Sequence, residues 1–400
     1  MKASVGNRVL MLIENSTYPL DLRVRHEATT LTGAGYQVSV ICQRGKNEPW
    51  HEEIGGVFVY RYPAPHQAMS FLGYALEYSY SFLATFVMSL YVWVIRGFDI
   101  IHAANPPDTA VFIALFYRLF GKRFIFDHHD LAPDMYLARS NRKGNRLVYQ
   151  TLAWMEKMSY RFAHHIIATN QSYKDVAMQR GHVPEENITI VRNGPALDRL
   201  KLVQPDLELK KRGAVIIGYV GVMGTQDGLD YLLRALKALI TDLGRSDFFC
   251  VIIGKGSALA GLKALATQLE LDQNVWFTGF IPDGDVIRYL STIDISVDPD
   301  PSNSFNDRCT MIKMMEYMAL SKPIVAFDLP EHRVTAGEAA LYARPNDELD
   351  FAKQILALMD DPERRKKMGQ FGRERIEKEL AWPYQALHLL DAYASIRAVS

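Results

Sequence analysis

Short apolar runs alternate with longer helical patterns along almost the whole chain of 400 residues. In the first half, apolar runs with the length of a buried strand occur at residues 9–13, 38–42, 100–103, 124–126 and 166–168. In the second half they recur at residues 215–220, 249–253, 275–277, 293–297 and 323–327. Continuous apolar strands that alternate with helices are typical of parallel sheets covered on both faces. The pattern therefore predicts an α/β fold.

A polar segment at residues 203–213 separates the two series of strands and is predicted to be a linker. A chain of 400 residues is long for a single core and suggests about two domains. We therefore predict two doubly wound domains with a cleft between them, formed by residues 1–202 and 203–381.

Charge balance and cysteine content limit the expected partners and the expected cellular compartment. Lys+Arg and Asp+Glu balance at 45 each, so no overall field attracts nucleic acid, and no nucleic-acid partner is expected. The three cysteines, Cys42, Cys250 and Cys309, are widely spaced and indicate neither a disulfide framework nor a metal knuckle. The first residues lack the apolar core of a signal peptide. These features favour a reducing, cytoplasmic setting.

One apolar segment is long enough to raise the question of a membrane. Residues 78–95 carry no charge over a length that is borderline for crossing a bilayer, but the segment lies between predicted strands. One side of its predicted helix carries polar side chains at every fourth position: Glu77, Ser81, Thr85 and Ser89. Either the helix packs on the sheet, or an apolar face near Tyr91 and Trp93 rests on the inner membrane surface. The second interpretation is slightly favoured.

A polar cluster follows the apolar run at residues 124–126. It comprises Asp127, His128, His129, Asp130 and Asp134. In a loop after the carboxyl end of a strand, an imidazole can face a cleft and transfer a proton or donate to a sugar hydroxyl. A metal site would need a further ligand placed by the fold. The pair His164 and His165, in contrast, begins a strand and is predicted to be packed.

The two halves differ in the turn after their first strand. Residues 14–21 contain no glycine, whereas Gly221, Gly224 and Gly228 precede a helix in the second half. Glycines at such a turn let the backbone approach a pyrophosphate at a helix N-terminus. Phosphate binding is therefore expected in the second half.

Glu316 lies between two large side chains on a helix that leads into the apolar run at residues 323–327. A buried carboxylate costs about 2–7 kcal/mol or more unless a polar group meets it. Two interpretations remain open: Glu316 contacts a ligand, or it forms an i,i+3 ion pair with Lys313 on a solvated face.

Several motifs together resemble the family-4 glycosyltransferases of the GT-B fold, in the branch that builds bacterial surface polysaccharides. In order, they are RVRHEA at 23–28, FDHHDL at 126–131, VRNG at 191–194, GKG at 254–256, Gly279, MMEYMA at 314–319 and KPIV at 322–325. The resemblance covers nearly the whole chain. It implies an acceptor domain first, a nucleotide-sugar domain second, and a last helix at residues 382–400 that packs back on the first domain.

The resemblance also assigns residues. His129, with Asp130 beside it, is expected at the catalytic centre, where the histidine contacts the transferred sugar near the reacting carbon. Glu316 matches the second of two glutamates eight residues apart and is expected to bind the nucleotide ribose. The other expected substrate contacts are Lys255, Lys313, Asp307, Arg308, Met223, Gly224, Asn193, Gly194 and Arg23. Lys255 and Lys313 are expected near the diphosphate.

The chain departs from the family pattern at a few positions. The first glutamate of the pair falls at Arg308, so Asp307 is the nearest carboxylate, and Ser321 replaces the usual glycine. The arginine often found after the first strand of the second domain is missing from residues 221–226. The run Asp298-Pro299-Asp300 resembles the metal-binding DxD of the other glycosyltransferase fold. Because it follows a strand here, it is interpreted as a loop, and neither a metal nor a cofactor is expected.

The reaction implied is hexosyl or N-acetylhexosaminyl transfer from a nucleoside-diphosphate sugar, with a UDP-sugar as the first expectation, and with retention at the anomeric carbon. The acceptor implied is a glycan or a polyprenyl-linked glycan at the inner face of the cell membrane. Catalysis would depend mainly on positioning and on charge stabilisation, since no residue stands out as a nucleophile. Two alternatives remain: a nucleotide-sugar epimerase of similar fold, and a non-catalytic scaffold that binds a nucleotide sugar.

Overall fold

The structure is a computed structural model that describes residues 6–65, 71–140 and 144–398. The chain divides into two compact units. Unit 1 comprises residues 1–137, 143–193 and 383–400, and unit 2 comprises residues 138–142 and 194–382. The main division therefore follows Asn193, whereas the sequence predicts it after residue 202, and the chain from Pro383 onward belongs to unit 1.

Unit 1 is built on an eight-stranded sheet in the described part of the chain. Its strands are β1 (Arg8–Leu12), β2 (Gln37–Arg44), β3 (His51–Ile54), β4 (Val57–Pro63), β5 (Ile100–Ala104), β6 (Arg123–His128), β7 (His165–Ala168) and β8 (Ile188–Ile190). Their order is β3-β4-β2-β1-β5-β6-β7-β8, and every pair is parallel except β3 with β4. The order reverses between β1 and β5, where open α/β sheets bind ligands at the carboxyl ends of their strands.

The helices before residue 194 are α1 (Leu22–Gly33), α2 (Phe71–Ile95), α3 (Ala110–Arg118), α4 (Ala132–Arg139), α5 (Arg146–Phe162) and α6 (Gln171–Gly181). Asparagine or aspartate caps three of them. Asp21 accepts from the Val24 N–H at the start of α1, and Asn145 and Asn170 cap α5 and α6. Such caps satisfy N–H groups that have no partner within the helix.

The polar stripe on α2 faces inward. Ser81, Thr85 and Ser89 are buried, whereas Leu83 and Val87 are exposed. α2 packs against β2 and β4 of the sheet. The helix is therefore inverted relative to an ordinary surface helix, which buries its apolar side.

Unit 2 is built on a six-stranded parallel sheet. Its strands are β9 (Val215–Val220), β10 (Phe248–Ile253), β11 (Val275–Gly279), β12 (Ile295–Asp298), β13 (Ile324–Phe327) and β14 (Ala340–Ala343), in the order β11-β10-β9-β12-β13-β14. Ligands of this doubly wound order bind where it reverses, here between β9 and β12. Along β9, Ile217 and Tyr219 pack into one apolar cluster and Ile216 into the other, so both faces of the sheet are covered.

The remaining helices are α7 (Leu207–Lys210), α8 (Leu229–Thr241), α9 (Leu259–Gln268), α10 (Asp283–Thr292), α11 (Ile312–Ala319), α12 (Pro330–Ala336), α13 (Glu348–Met359), α14 (Pro362–Arg375) and α15 (Trp382–Ala398). The predicted linker at 203–213 is wrong, because it contains α7 and packs on unit 2. Leu209 is buried in an apolar cluster of that unit, and the Asp206 N–H donates to Thr292 at 2.8 Å. The segment therefore packs on unit 2 although Leu209 is its one buried apolar side chain.

Candidate active site

In unit 1, Asn105 organises the loop that carries His129. Asn105 follows β5 and is almost fully buried. Its Oδ1 accepts from the backbone N–H groups of His129 at 2.6 Å and of Asp130 at 3.1 Å. Its Nδ2 donates to the Asp130 carbonyl at 2.8 Å and to Asp108 at 3.0 Å. The sequence analysis missed Asn105, although a polar residue directly after a buried strand is a detectable signal.

Asp127, in β6, collects the charged groups around this loop. Its Oδ1 lies 2.7 Å from Nη2 of Arg23 and its Oδ2 lies 3.1 Å from Nε of Arg23. The same Oδ2 contacts Nε2 of His129 and lies 3.3 Å from Nε2 of His102. Burial alone would raise the pKa of Asp127, but the charges of Arg23 and His129 hold it well below its usual value. Asp127 is therefore a buried anion.

Glu27, in α1, supplies a second buried carboxylate to the same network. It lies 3.1 Å from Nε of Arg23 and 3.3 Å from Nε2 of His102. His102 also forms a 2.8 Å hydrogen bond through Nδ1 with the hydroxyl of Tyr393 in α15. Burial would lower the pKa of His102, but Glu27 and Asp127 raise it to about 9. We call Arg23, Glu27, His102 and Asp127 the unit 1 ion network.

Arg23 is a member of this network, and its expected contact with substrate stays a prediction. Besides Asp127, its guanidinium donates to the Val191 carbonyl at 2.8 Å and to Oδ1 of Asn193 at 2.7 Å. Asn193 thus accepts from Arg23. Gly194 is also buried, and a Cβ there would lie 2.4 Å from the Leu380 carbonyl, so this glycine is needed for close backbone packing.

The two adjacent histidines have different environments. His128 is fully buried among Phe126, Tyr160 and Tyr173, and burial lowers its pKa to about 3. The side chain of His129 is 17% exposed, and it contacts Asp127 from the solvent-facing side of the unit 1 ion network. His165, predicted to be packed, is buried and bonds to Thr189 at 2.8 Å.

In unit 2, the glycine-rich turn after β9 packs against the turn after β10. A Cβ on Gly254 would lie 1.9 Å from the Gly221 carbonyl, and one on Gly256 would lie 2.3 Å from the Met223 carbonyl. The Met223 N–H donates to the Lys255 carbonyl at 3.0 Å, and the Met223 carbonyl accepts from Ala258 at 2.9 Å. These glycines are needed for the contact between the two turns.

This packing engages two of the residues expected to contact substrate, and their role in binding stays a prediction. Met223 is completely buried, and its backbone N–H and carbonyl are already bonded. The Gly224 N–H donates to the Asp227 carboxylate at 2.6 Å. Lys255, in contrast, is exposed, with its ammonium 5.1 Å from the centre of the Phe280 ring. Of these three residues, Lys255 is the one with an exposed, charged side chain.

Lys313 is held by two buried aspartates. Its Nζ lies 3.0 Å from Oδ1 of Asp298, the last residue of β12, and contacts Oδ2 of Asp300. Of the two interpretations left open for Glu316, the i,i+3 pair with Lys313 is therefore wrong. The interpretation of Asp298 as a loop residue is also wrong, because Asp298 belongs to β12. Burial would lower the pKa of Lys313, but both aspartates raise it well above its usual value. We call these three residues the unit 2 ion network.

Glu316 has a different partner, Arg199, which the sequence analysis missed. Oε1 of Glu316 lies 2.8 Å from Nη1 of Arg199, and Nε of Arg199 lies 3.0 Å from Asp283. The Glu316 side chain is 16% exposed. Asp307 and Arg308 lie in a single 3-10 turn before α11. They bond to Ser302 and to the Ser304 carbonyl, respectively, so each contacts its own loop.

Both sheets carry polar groups at the carboxyl ends of their strands. Comparison with known proteins identifies this arrangement as a glycosyltransferase of the GT-B fold. The family described as "Glycosyl transferase 4-like domain" matches residues 21–194, and "Glycosyl transferases group 1" matches residues 204–375. The chain belongs to the glycosyltransferases that combine these two domains, which confirms the predicted family and fold class. Assignment to a surface-polysaccharide branch stays a prediction.

Curated relatives share less than a quarter of the sequence over the longer matches. The 2-deoxystreptamine glucosyltransferase of Streptomyces kanamyceticus is 23% identical over 54% of this chain and 57% of its own length. The alpha-maltose-1-phosphate synthase of Mycolicibacterium smegmatis is 24% identical over 70% of this chain and 75% of its own. The chain thus spans little more than half of the first relative.

Solved structures resemble the whole chain. A sucrose-phosphate synthase from Thermosynechococcus elongatus matches with a TM-score of 0.80 at 18% identity, covering 99% of this chain and 100% of that one. The Anabaena protein HepE in complex with UDP and glucose matches with a TM-score of 0.74 at 15% identity, covering 98% and 100%. At such identities the likeness shows the fold.

Proposed function

We propose that the protein is a retaining glycosyltransferase that moves a hexosyl or N-acetylhexosaminyl group from a UDP-sugar to a lipid-linked glycan in bacterial polysaccharide biosynthesis. The observation that carries this proposal is the unit 1 ion network, which leaves one histidine, His129, at its solvent-facing end beside a buried anion. The presence of UDP and glucose in the HepE structure supports the choice of donor. A 23% identical Staphylococcus aureus relative, a capsular polysaccharide biosynthesis glycosyltransferase, supports the choice of pathway.

The geometry suggests how His129 acts. Its Nε2 contacts Asp127, which holds the ring in one orientation and directs Nδ1 to a substrate oxygen. A buried anion behind the ring also stabilises any positive charge on the imidazole. His129 would thus hydrogen-bond to the transferred sugar as the bond to the diphosphate lengthens, with Asp130 placed beside it by Asn105.

The donor would be held in unit 2. Glu316 would accept hydrogen bonds from the ribose hydroxyls, with Arg199 keeping the carboxylate in place. Lys255 is the exposed cation available for the diphosphate. Lys313 changes its role relative to the sequence expectation. Because both aspartates engage its ammonium, it positions the start of α11 and does not bind phosphate directly.

We also propose that unit 1 rests on the inner membrane surface through α2. Within the described residues, one helix, Leu76–Ile95, is long and apolar enough to span a bilayer, which by itself is weak evidence. The stronger support is its inverted packing: Val87 and Val94 are 64% and 83% exposed, while the polar stripe is buried. Trp93 is not part of the exposed face as expected, because it packs on Tyr117 and Phe120.

The proposal is tested by replacing His129 with alanine. We expect turnover to fall by about 10²–10³, the scale for losing one preorganised polar group, with donor affinity changed by less than about tenfold. His388→Ala is the matched control, because His388 is an exposed histidine in α15. His128→Ala is unsuitable as a control, since it would leave a cavity among aromatic rings. Equal activity of the two alanine variants would contradict the catalytic role.

Product analysis tests the reaction itself. The purified protein would be incubated with UDP-sugars and lipid-linked acceptors, and the anomeric configuration of the product determined by NMR. Retention and release of UDP only in the presence of acceptor are expected. UDP-sugar interconversion without acceptor would favour an epimerase, and donor binding without turnover would favour a scaffold.

A further inference from the structure

A groove of about 390 Å³ lies between α2 and α3 on the apolar side of unit 1. It is lined by Tyr78, Ser79, Phe82, Leu83, Thr109 and Phe112. Its volume falls in the range of about 300–1,000 Å³ that is usual for small-molecule sites. The lining is mostly aromatic and aliphatic, so the groove suits an apolar ligand.

The inner end of the groove is polar. A second, small cavity of about 10 Å³, which has room for about one water molecule, shares Phe82 and Thr109 with the groove and reaches Glu14. Glu14 lies two residues after the end of β1, at the edge of the sheet where its strand order reverses. Oε1 of Glu14 is shielded from solvent and has no hydrogen-bond partner within the described residues. An unpaired buried oxygen of this kind is destabilising, and a hydrogen bond from a bound molecule removes that cost.

The surface around the groove indicates what enters it. The exposed apolar side chains of α2 continue from Leu83 to Val87 and Val94. Four exposed basic residues lie on α3 and α5: Arg118 on α3, and Arg146, Lys157 and Arg161 on α5. The acidic residues of α2, α3 and α5 are Glu77, which is half-buried, and Glu156, which is buried. Apolar surface with basic residues matches an anionic lipid surface.

We propose that the groove between α2 and α3 binds the lipid chain of the acceptor as it leaves the membrane, and that one water molecule in the small cavity links Glu14 to the first polar group of the lipid head. That the lipid is an acceptor rests on the proposed transferase function, whereas binding of a single-chain lipid does not. Burial raises the pKa of Glu14 to about 8, which favours the protonated carboxyl at neutral pH, and this carboxyl can donate to that water.

The test fills the groove. Ser79 is an exposed lining residue, so Ser79→Trp should fold and obstruct the groove. Farnesyl phosphate and dodecyl phosphate serve as probes of a prenyl and a straight chain, and titration calorimetry measures their Kd. We expect Ser79→Trp to weaken the Kd of the preferred probe at least tenfold. The control, Gln268→Trp on an exposed position of α9, should change it less than twofold, with UDP affinity unchanged in both.

Two further measurements keep the outcomes distinct. A diazirine-bearing alkyl phosphate should label peptides containing residues 78–83 and 109–112 of the wild-type protein, whether or not the variant folds. Labelling elsewhere, or equal probe affinity for Ser79→Trp and wild type, would overturn the groove proposal. Probe binding by a protein that transfers no sugar would overturn the transferase proposal alone. A transferase equally active on acceptors with and without a chain would overturn the groove alone.

Discussion

Each unit contains a buried ion network near the carboxyl ends of its central strands, and the two networks differ in charge balance. In unit 1, Asp127 and Glu27 face two cationic groups, Arg23 and His102. In unit 2, Asp298 and Asp300 face a single ammonium, that of Lys313. Burial and the neighbouring Asp298 raise the pKa of Asp300 well above its usual value, so Asp300 keeps its proton.

The difference explains which residues remain available for chemistry. The unit 1 ion network satisfies its charges internally and leaves His129 partly exposed at its edge. The unit 2 ion network encloses Lys313, whose side chain is only 12% exposed. A lysine in a region expected to bind phosphate is therefore not necessarily a phosphate ligand. Its buried neighbours determine whether its ammonium group is available to a ligand.

The largest expected effect is on stability in unit 1. Asp127→Asn removes the anion between Arg23 and His102, and breaking a buried pair from one side usually costs about 3–5 kcal/mol. Urea unfolding should show this loss. A change below about 1 kcal/mol would mean that Glu27 alone balances the two cations.

Lys313→Met should give a somewhat smaller loss, near the lower end of about 3–5 kcal/mol, because the two aspartates left behind already share one proton. The UDP affinity of the folded variant should stay within about threefold of wild type, measured by calorimetry. Unchanged stability with a large loss of UDP affinity would restore Lys313 as a phosphate contact.

Glu316→Gln tests the site that adjoins the unit 2 ion network without belonging to it. Donor binding should weaken by about 1–3 kcal/mol, the range for losing a hydrogen bond to a charged group. The Tm should change little, since Arg199 keeps Asp283 at 3.0 Å. Glu338→Gln, an exposed glutamate of unit 2, is the control. A large fall in Tm with unchanged donor affinity would make Glu316 structural.

The smallest expected effect at acid pH is that of Asp300→Asn, which replaces a protonated carboxyl by a neutral amide of the same shape. At pH 4 and below, where the unfolded chain also holds this proton, stability should change by less than about 1 kcal/mol. Because the folded pKa of Asp300 is raised, its contribution is complete below the ordinary value of 3.8 and is lost as pH rises above it. The variant should therefore gain stability relative to wild type between pH 4 and 8. The opposite trend would mean that Asp300 is ionised.

The strand pattern was predictable because fully buried strands are continuously apolar. All ten predicted strands are present in the described chain, whereas four others, β3, β4, β8 and β14, were missed. The hairpin strand β3 (His51–Ile54) reads His-Glu-Glu-Ile, so no apolar run marks it. The linker prediction was wrong because residues 203–213 are mostly polar and yet pack on unit 2, through buried Leu209 and hydrogen bonds such as that from the Asp206 N–H to Thr292.

The candidate site was predictable only in part. His129 directly follows a strand and Glu316 lies within a helix that the sequence pattern locates, and the structure leaves both partly exposed. Met223 and Gly224 lie in a turn of the right composition, but the backbone groups of Met223 bond to neighbouring backbone, and the Gly224 N–H donates to the Asp227 carboxylate. Arg199 and Asn105 became visible only through their partners, because a hydrogen bond across 117 or 24 positions leaves no trace in local sequence.

The sequence by itself determined the two α/β units and the strand ends near which polar residues gather, since burial of apolar strands is a local property of the chain. The tertiary structure alone decided which charges meet. Whether Lys313 faces a phosphate or two aspartates, and whether α2 turns its serines or its valines outward, depends on elements brought together from distant parts of the chain. Electrostatic and packing energies act through space, so these choices became definite only when the neighbours were in place.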